Sequence, residues 1–542
     1  MQLLDREITQ STALVVDPNP TARSVMAAQL RDLGVQQVRQ LSRVQDARLL
    51  LEETTFDIVL CELDFEGGTT SGQELIDELR QEHLLPYWTV FILVTAQATY
   101  AQVVDAAEAT VDGYLLKPYS ASALADRLAE ARHRKRVLDP AYRALQEGHM
   151  IEAAIFCERV ADERGRYATY AAQVAGELWL KIEQCERAAE VYERVLETQS
   201  LPWARAGVAR ARLLMGEVGR ARRLLEELIE DQPGYADAHD LIARLLLEQG
   251  ELDDALEAFQ RATRLTPGCI LRLQHTGTLG FYLGMKGDAL YFLDKALGMG
   301  RKSKLFDGLT LAVVAMLRYD LQDYKGLAAA QRQIADMRAG FPMSARLRMM
   351  DLCGQTLMLL AAQRPDDALG MAQELGDEAL LESFDLESAA LTLSLWARIP
   401  NSERPPKAWD NLLRTVGLRF ATSKAATEVL VGAAGMGDKE TELLRDAQHS
   451  ITTLAKQALS RSMANKPREA VESLIVHGQQ TRNARLIDMA ANLLRRYAPA
   501  MEDSRTLNDA VVSLQRRWCR PLTHIAGIRR TTRTPGGVVL RK

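Results

Sequence analysis

Phe56-Asp57-Ile58-Val59-Leu60-Cys61-Glu62-Leu63-Asp64 decides how the first part of the chain folds. The run is continuously apolar before it ends in acids. It is entered from Thr54-Thr55 and left through Glu66-Gly67-Gly68, which fits a central parallel strand covered on both faces. Parallel sheets place their chemistry at the carboxyl ends of the strands, so Glu62 and Asp64 fall where a site forms. Strand alternation puts both on one face, with Asp64 one step beyond.

At 542 residues the chain is too long for one ordinary core, so several domains or a solenoid are expected. A hydrophobic fraction of 47% and a charged fraction of 26% are those of a soluble globular protein, and a net charge of −5 names no partner. No apolar run approaches the roughly 20 residues a membrane helix needs. The opening MQLLDREITQ carries acids and has no basic region ahead of an apolar core, so no signal peptide is expected there. The six cysteines are widely spaced without a CxxC, and buried free thiols in a reducing cytoplasm are expected. No HExxH or HxxxH pair supports a zinc site.

Around the opening stretch, strands are expected at Ala13–Asp17, Gln37–Leu41, Ile58–Glu62, Thr89–Thr95 and Gly113–Leu116. Helical patterns separate or follow them at Thr21–Leu33, Val44–Glu53, Gln73–Gln81, Tyr100–Ala109 and Ala121–Lys135. Five alternations with short connections predict an α/β, doubly wound, five-stranded parallel sheet over residues 1–135. Right-handed crossovers bring the carboxyl ends of the strands to one edge, which collects Asp17, Glu62, Thr95 and Lys117.

Taken together, LVVD (14–17), IVLCE (58–62), ILVTA (92–96) and YLLKP (114–118) resemble the receiver domain of two-component response regulators, including the chemotaxis receivers, a flavodoxin-like fold. The resemblance implies roles for particular residues. Glu62 stands at the phosphoacceptor position, Thr95 is the switch hydroxyl and Lys117 the phosphate-binding lysine. Tyr114 is the aromatic switch, and Pro118 follows Lys117 through a cis peptide bond. Asp17 is the first of two acids that hold magnesium, and Asp64 lies where a backbone carbonyl usually serves the metal. In two places the chain departs from the family pattern. Pro18 replaces the second magnesium acid, so at most a weak Mg2+ site through Asp17 and Asp64 is implied. Glutamate replaces aspartate at position 62, and its extra methylene carries the carboxylate toward Lys117 and Thr95. The contacts that phosphorylation normally creates could then form without it. The loop Phe65–Ser71 is also about two residues longer than the family's turn.

After Asp139-Pro140 no strand pattern returns. Gly148-x4-Ala153, Glu183-x4-Ala188, Gly216-x4-Ala221, Gly250-x4-Ala255 and Gly284-x4-Ala289 recur at intervals of 35, 33, 34 and 34 residues. Cys157, Tyr192, Leu225, Phe259 and Leu293 follow each alanine by four. This resembles the tetratricopeptide repeat, in which helix pairs too small to bury their own apolar face stack into a superhelix. Residues 139–300 are expected to hold such repeats and 301–518 degenerate ones, with turn-and-helix echoes at 361–375 and 465–477. The clearest break is Ile399–Pro406, and residues 519–542 form a basic tail expected to be flexible. The basic run ending the helix before Asp139 is read as an offset to the helix dipole.

The implied function is that of a cytoplasmic, non-enzymatic signalling adaptor. A receiver kept active-like by Glu62 controls protein binding by the array, with the face around Tyr114 passing the bias on. Three alternatives stand beside it: a degenerate receiver kept as a packing or docking module with Glu62 merely paired to Lys117, a phosphorelay receiver modified on Glu62 or Asp64, and a nucleic-acid regulator acting through the tail. The expected partners are proteins in the groove and a histidine kinase or other signalling protein at the receiver. No membrane contact is expected, and the oligomeric state, a homodimer included, stays open.

Overall fold

In the computed structural model the described residues are 8–65, 71–81, 84–86, 88–96, 111–300, 306–378, 381–382, 384–497, 504–519, 524–525 and 528–529. The expected helix at 100–109, most of the loop after Phe65 and most of the basic tail lie outside them.

The first unit is a parallel sheet of β1 (Thr12–Val16), β2 (Gln37–Leu41), β3 (Ile58–Glu62), β4 (Val90–Thr95) and β5 (Gly113–Leu116), in the order β2-β1-β3-β4-β5. Strand alternation sorts its side chains into two cores. Ala13, Val15, Ile58, Leu60, Ile92 and Val94 pack on one face. Leu14, Val16, Val59, Cys61, Phe91 and Leu93 pack on the other, so β3 and β4 are buried along their whole length. Helices α1 (Pro20–Asp32), α2 (Val44–Glu53) and α3 (Gly72–Gln81) connect the strands, and Ala121–Val137 closes the unit. α1 starts where the sequence signals it. Pro20 sits in the first turn, and the Asn19 side chain accepts the amides of Thr21 and Ala22 at 2.9 and 3.2 Å.

The described residues of the remainder build helices and their connecting turns up to Trp518. Each of the five expected turn positions ends a helix with a left-handed residue: Gly148, Glu183, Gly216, Gly250 and Gly284 have φ of 85°, 61°, 81°, 73° and 76°. The small residues permit close helix approach. Tyr192 is fully buried between Gly176 and Gly207, where an added Cβ would lie 2.4 and 2.6 Å from its ring.

The second half continues the same construction. Gln322, Gln363 and Asn465 take the left-handed turn position with φ of 57°, 59° and 61°. The Ile399–Pro406 break joins helices Leu386–Ala397 and Pro406–Phe420. One apolar core runs from Ala243 to Leu444, so the two stretches share a body. Helix Lys424–Ala433 returns to pack on Ala236–Gln249 and Ile270–Tyr282. There a Cβ on Gly432 would meet the Tyr282 carbonyl oxygen at 2.2 Å.

Two further features differ from expectation. Within the tail expected to be flexible, His524–Ile525 and Ile528–Arg529 pair as a short antiparallel ribbon, with the first strand against Leu386–Ala397 and Lys424–Ala433. The basic run before Asp139 does more than offset a dipole. Arg134 and Lys135 pair with Asp112, and both stack on the Tyr170 ring at 4.5 and 5.3 Å, tying the receiver's last helix to the array.

Of the cysteines, five are buried free thiols and Cys519 is half-buried. Among the described residues no helix is long and apolar enough to cross a membrane.

Candidate functional site

The carboxyl edge of the sheet gathers three charged groups. Asp17 leaves β1, Glu62 ends β3 and Lys117 follows β5. The Lys117 ammonium donates to Asp17 Oδ2 at 2.6 Å and to Glu62 Oε2. Both acids are buried, at 1% and 7% exposure, and Lys117 reaches them from a half-buried position. Burial works against the charged form of Lys117, but the two carboxylates outweigh it and hold the ammonium above the ordinary lysine range. The remaining acceptors are also engaged. Glu62 Oε1 takes the amides of Leu63 at 3.0 Å and Asp64 at 3.3 Å, and Asp17 Oδ1 takes the amide of Asn19 at 2.7 Å. Glu62 therefore curls over its own strand end and is held there by one cation and two amides.

The other expected residues lie nearby in different roles. Thr95 is buried at the end of β4, one step past Val94, the register partner of Glu62. Among the described residues Glu62 bonds Lys117 and the two amides, so the expected Glu62–Thr95 contact is not part of this arrangement. The Lys117-Pro118 bond is cis. Tyr114 donates its hydroxyl to Gln73 Oε1 at 2.6 Å, which joins β5 to the first turn of α3. Asp64 is exposed and bridges Ser71. Tyr119 lies close enough to feel the site: burial first, and then the charges of Asp17 and Glu62, push its phenol up to about 12.

A magnesium ion does not fit this donor set. The Lys117 ammonium already lies between the two buried carboxylates, Pro18 offers no ligand, and Asp64 stands apart in solvent. Among the described residues no group of three His, Cys, Asp or Glu side chains is arranged to hold a metal.

Two clusters escaped the sequence reading. At the opposite edge of the sheet, the Asp112 carboxylate is fully buried and meets Arg80 at 3.1 Å, Lys135 at 2.9 Å and Arg134. It also accepts the Phe91 amide at 2.9 Å. Burial works against its charge, but the three cations and the amide prevail and hold the carboxyl well below the usual carboxylate range. On α3, Glu74 and Glu78 are buried against the array rather than solvated. The signal for Glu74 was available, because Ser71-x-x-Glu74 is a capping box. The Ser71 amide donates to Glu74 at 2.9 Å and the Glu74 amide to Ser71 Oγ at 3.1 Å.

Comparison with known proteins agrees with both halves of this architecture. Residues 13–129 match the family model of the response regulator receiver domain, and residues 207–268 match a tetratricopeptide repeat model. Chemotaxis protein CheY-3 of Vibrio cholerae is 31% identical over 115 residues, covering 21% of this chain and 86% of the relative. Chemotaxis protein CheY of Pseudomonas aeruginosa is also 31% identical over 115 residues, with 90% of that protein covered. A tetratricopeptide repeat protein from Parabacteroides merdae, solved by crystallography, is 13% identical with a TM-score of 0.29. That match covers 58% of this chain and 98% of its own, and at that score it carries no argument. Through its first 130 or so residues the chain belongs to the response regulator receiver family, with a tetratricopeptide array behind the receiver.

Proposed function

We propose that the chain is a non-enzymatic signalling adaptor in which Glu62 holds the receiver in one fixed state and the array presents the output surface to a partner protein. The observation that carries this reading is the Lys117 ammonium, bound to Glu62 at the acceptor strand and to Asp17 beside it. In a working receiver this lysine binds a phosphoryl oxygen. A glutamate carboxylate, one methylene longer than aspartate, supplies an oxygen there with no group transfer. With the buried carboxylates of the site engaged and magnesium poorly served, the ordinary chemistry has lost its electrophilic assistance. The same features support a receiver that reports a constant state rather than a phosphorylation level. Free thiols throughout the chain suit work in the cytoplasm.

The test is to incubate the full chain with a small phosphodonor and magnesium and to measure its intact mass. The mass is expected to stay unchanged. A gain of one phosphoryl group, abolished by Glu62→Ala or Asp64→Ala, would replace this reading with a working phosphorelay receiver.

A further inference from the structure

The receiver is joined to the array at a second place, far along the chain from the linker. Glu74 Oε1 on α3 accepts the amide of Gly268 at 3.1 Å, and Glu78 Oε1, one turn later, accepts the amide of Ile270. These amides belong to the turn that opens helix Ile270–Tyr282, whose first N–H groups have no partner within the helix. The helix dipole adds to the attraction for carboxylates there. Both acids are buried, at 7% and 1% exposure, and the second oxygen of Glu78 is bound by the equally buried Arg48 of α2. Nearby, Arg43 at the cap of α2 and Gln45 and Leu49 within it form one wall of a cleft of about 830 Å3, with Leu297, Leu311 and Val314 of the array on the other side.

This seam is mechanically continuous with the acceptor site. Gly72, the first residue of α3, lies so close to the end of β3 that an added Cβ would be 2.2 Å from the Glu62 carbonyl oxygen and 2.8 Å from Leu93. Its amide donates to the Leu63 carbonyl at 2.8 Å. Tyr114 holds the next residue, Gln73, and the residue after that is Glu74. A path of contacts therefore runs from the Glu62 strand end through Gly72 and Glu74 to Gly268.

We propose that α3 of the receiver is the built-in ligand of the turn Pro267–Ile270, and that Gly72 transmits a displacement of the Glu62 strand end to this seam. With Glu62 in place the receiver stays seated on the array, and removing the Glu62 carboxylate loosens the seam. The coupling half of this proposal rests on Glu62 being the switch position, whereas the docking half does not.

Amide hydrogen exchange on the full chain, read in peptides covering 266–272, tests both halves. Arg48→Met with Glu78→Leu removes the acceptor of the Ile270 amide while replacing the ion pair by an apolar one, so no buried arginine is left uncompensated. It should speed exchange there by about tenfold. Glu74→Gln preserves the capping box but weakens the charge-assisted bond, and should give a smaller rise. If the paired substitution leaves exchange at 266–272 unchanged, α3 is not the ligand of this turn. Glu62→Gln should also raise exchange at 266–272. Should it fail to do so while the paired substitution succeeds, the coupling is overturned and the docking stands.

Discussion

The two ends of the receiver sheet carry inverse ion clusters. At the carboxyl end one lysine serves two carboxylates, and that lysine reaches solvent with 22% of its side chain exposed. At the amino end one fully buried carboxylate, Asp112, serves Arg80, Arg134 and Lys135. The first cluster sits where a charge can be changed at modest cost. The second joins β5, α3 and the helix that leads into the array, so altering it disturbs everything it touches. The chain thus keeps one cluster within reach of solvent and one sealed inside on the same sheet.

The largest effect expected from this difference is at the sealed cluster. Asp112→Ala leaves three buried or half-buried cations without their carboxylate and should lower stability by about 3–5 kcal/mol, measured by urea unfolding. Because folding holds Asp112 below its ordinary value, its stabilisation is complete above about pH 4 and is lost as acid approaches the folded value. A loss no larger than that of an exposed acid would erase the distinction between the two ends.

A third cluster, in the array, sharpens the comparison from the opposite sign. Glu387 is raised to about 8 by burial and by Asp307 and Asp385, against the pull of Arg346. A carboxyl raised on folding favours the folded state fully below its unfolded value, near pH 4, and loses that contribution as pH rises through 8. The melting temperature should therefore fall between about pH 4 and pH 8, and Glu387→Gln should flatten that slope.

At the carboxyl end Glu62→Gln should cost less, about 1–2 kcal/mol in urea unfolding, because the amide oxygen can keep the Leu63 and Asp64 amides and Lys117 retains Asp17. The smallest effect lies in the second half of the array. Replacing Gln363, a residue with φ of 59°, by glycine should stabilise by roughly 0.5–1 kcal/mol in the same assay.

That last residue also explains what the sequence hid. The sheet was readable because its strands are uninterrupted apolar runs and its acceptor-end residues stand at strand termini. The first five repeats were readable because four of the five left-handed turn residues are glycine at a near-constant interval. Beyond Leu297 the geometry persists, but glutamine and asparagine occupy the turn and the spacing loosens, so the signature fades while the fold does not. At the site, Asp17, Glu62 and Lys117 came together as their motif positions implied, whereas Glu62 took backbone amides in place of Thr95. The roles of Asp112, Glu74 and Glu78 were hidden for a different reason. Their partners lie 21 to 194 positions away, and no local pattern records those contacts, since the Ser71–Glu74 capping box marks only the start of α3. The second role of the basic run before Asp139 was hidden on the same ground, since its partners Asp112 and Tyr170 lie on other elements.

Lys117, rather than a metal, holds the two acids at the carboxyl end. Isothermal titration of the full chain with Mg2+ should accordingly give no saturable heat in the low-millimolar range. Saturable binding that Asp17→Asn abolishes would contradict it.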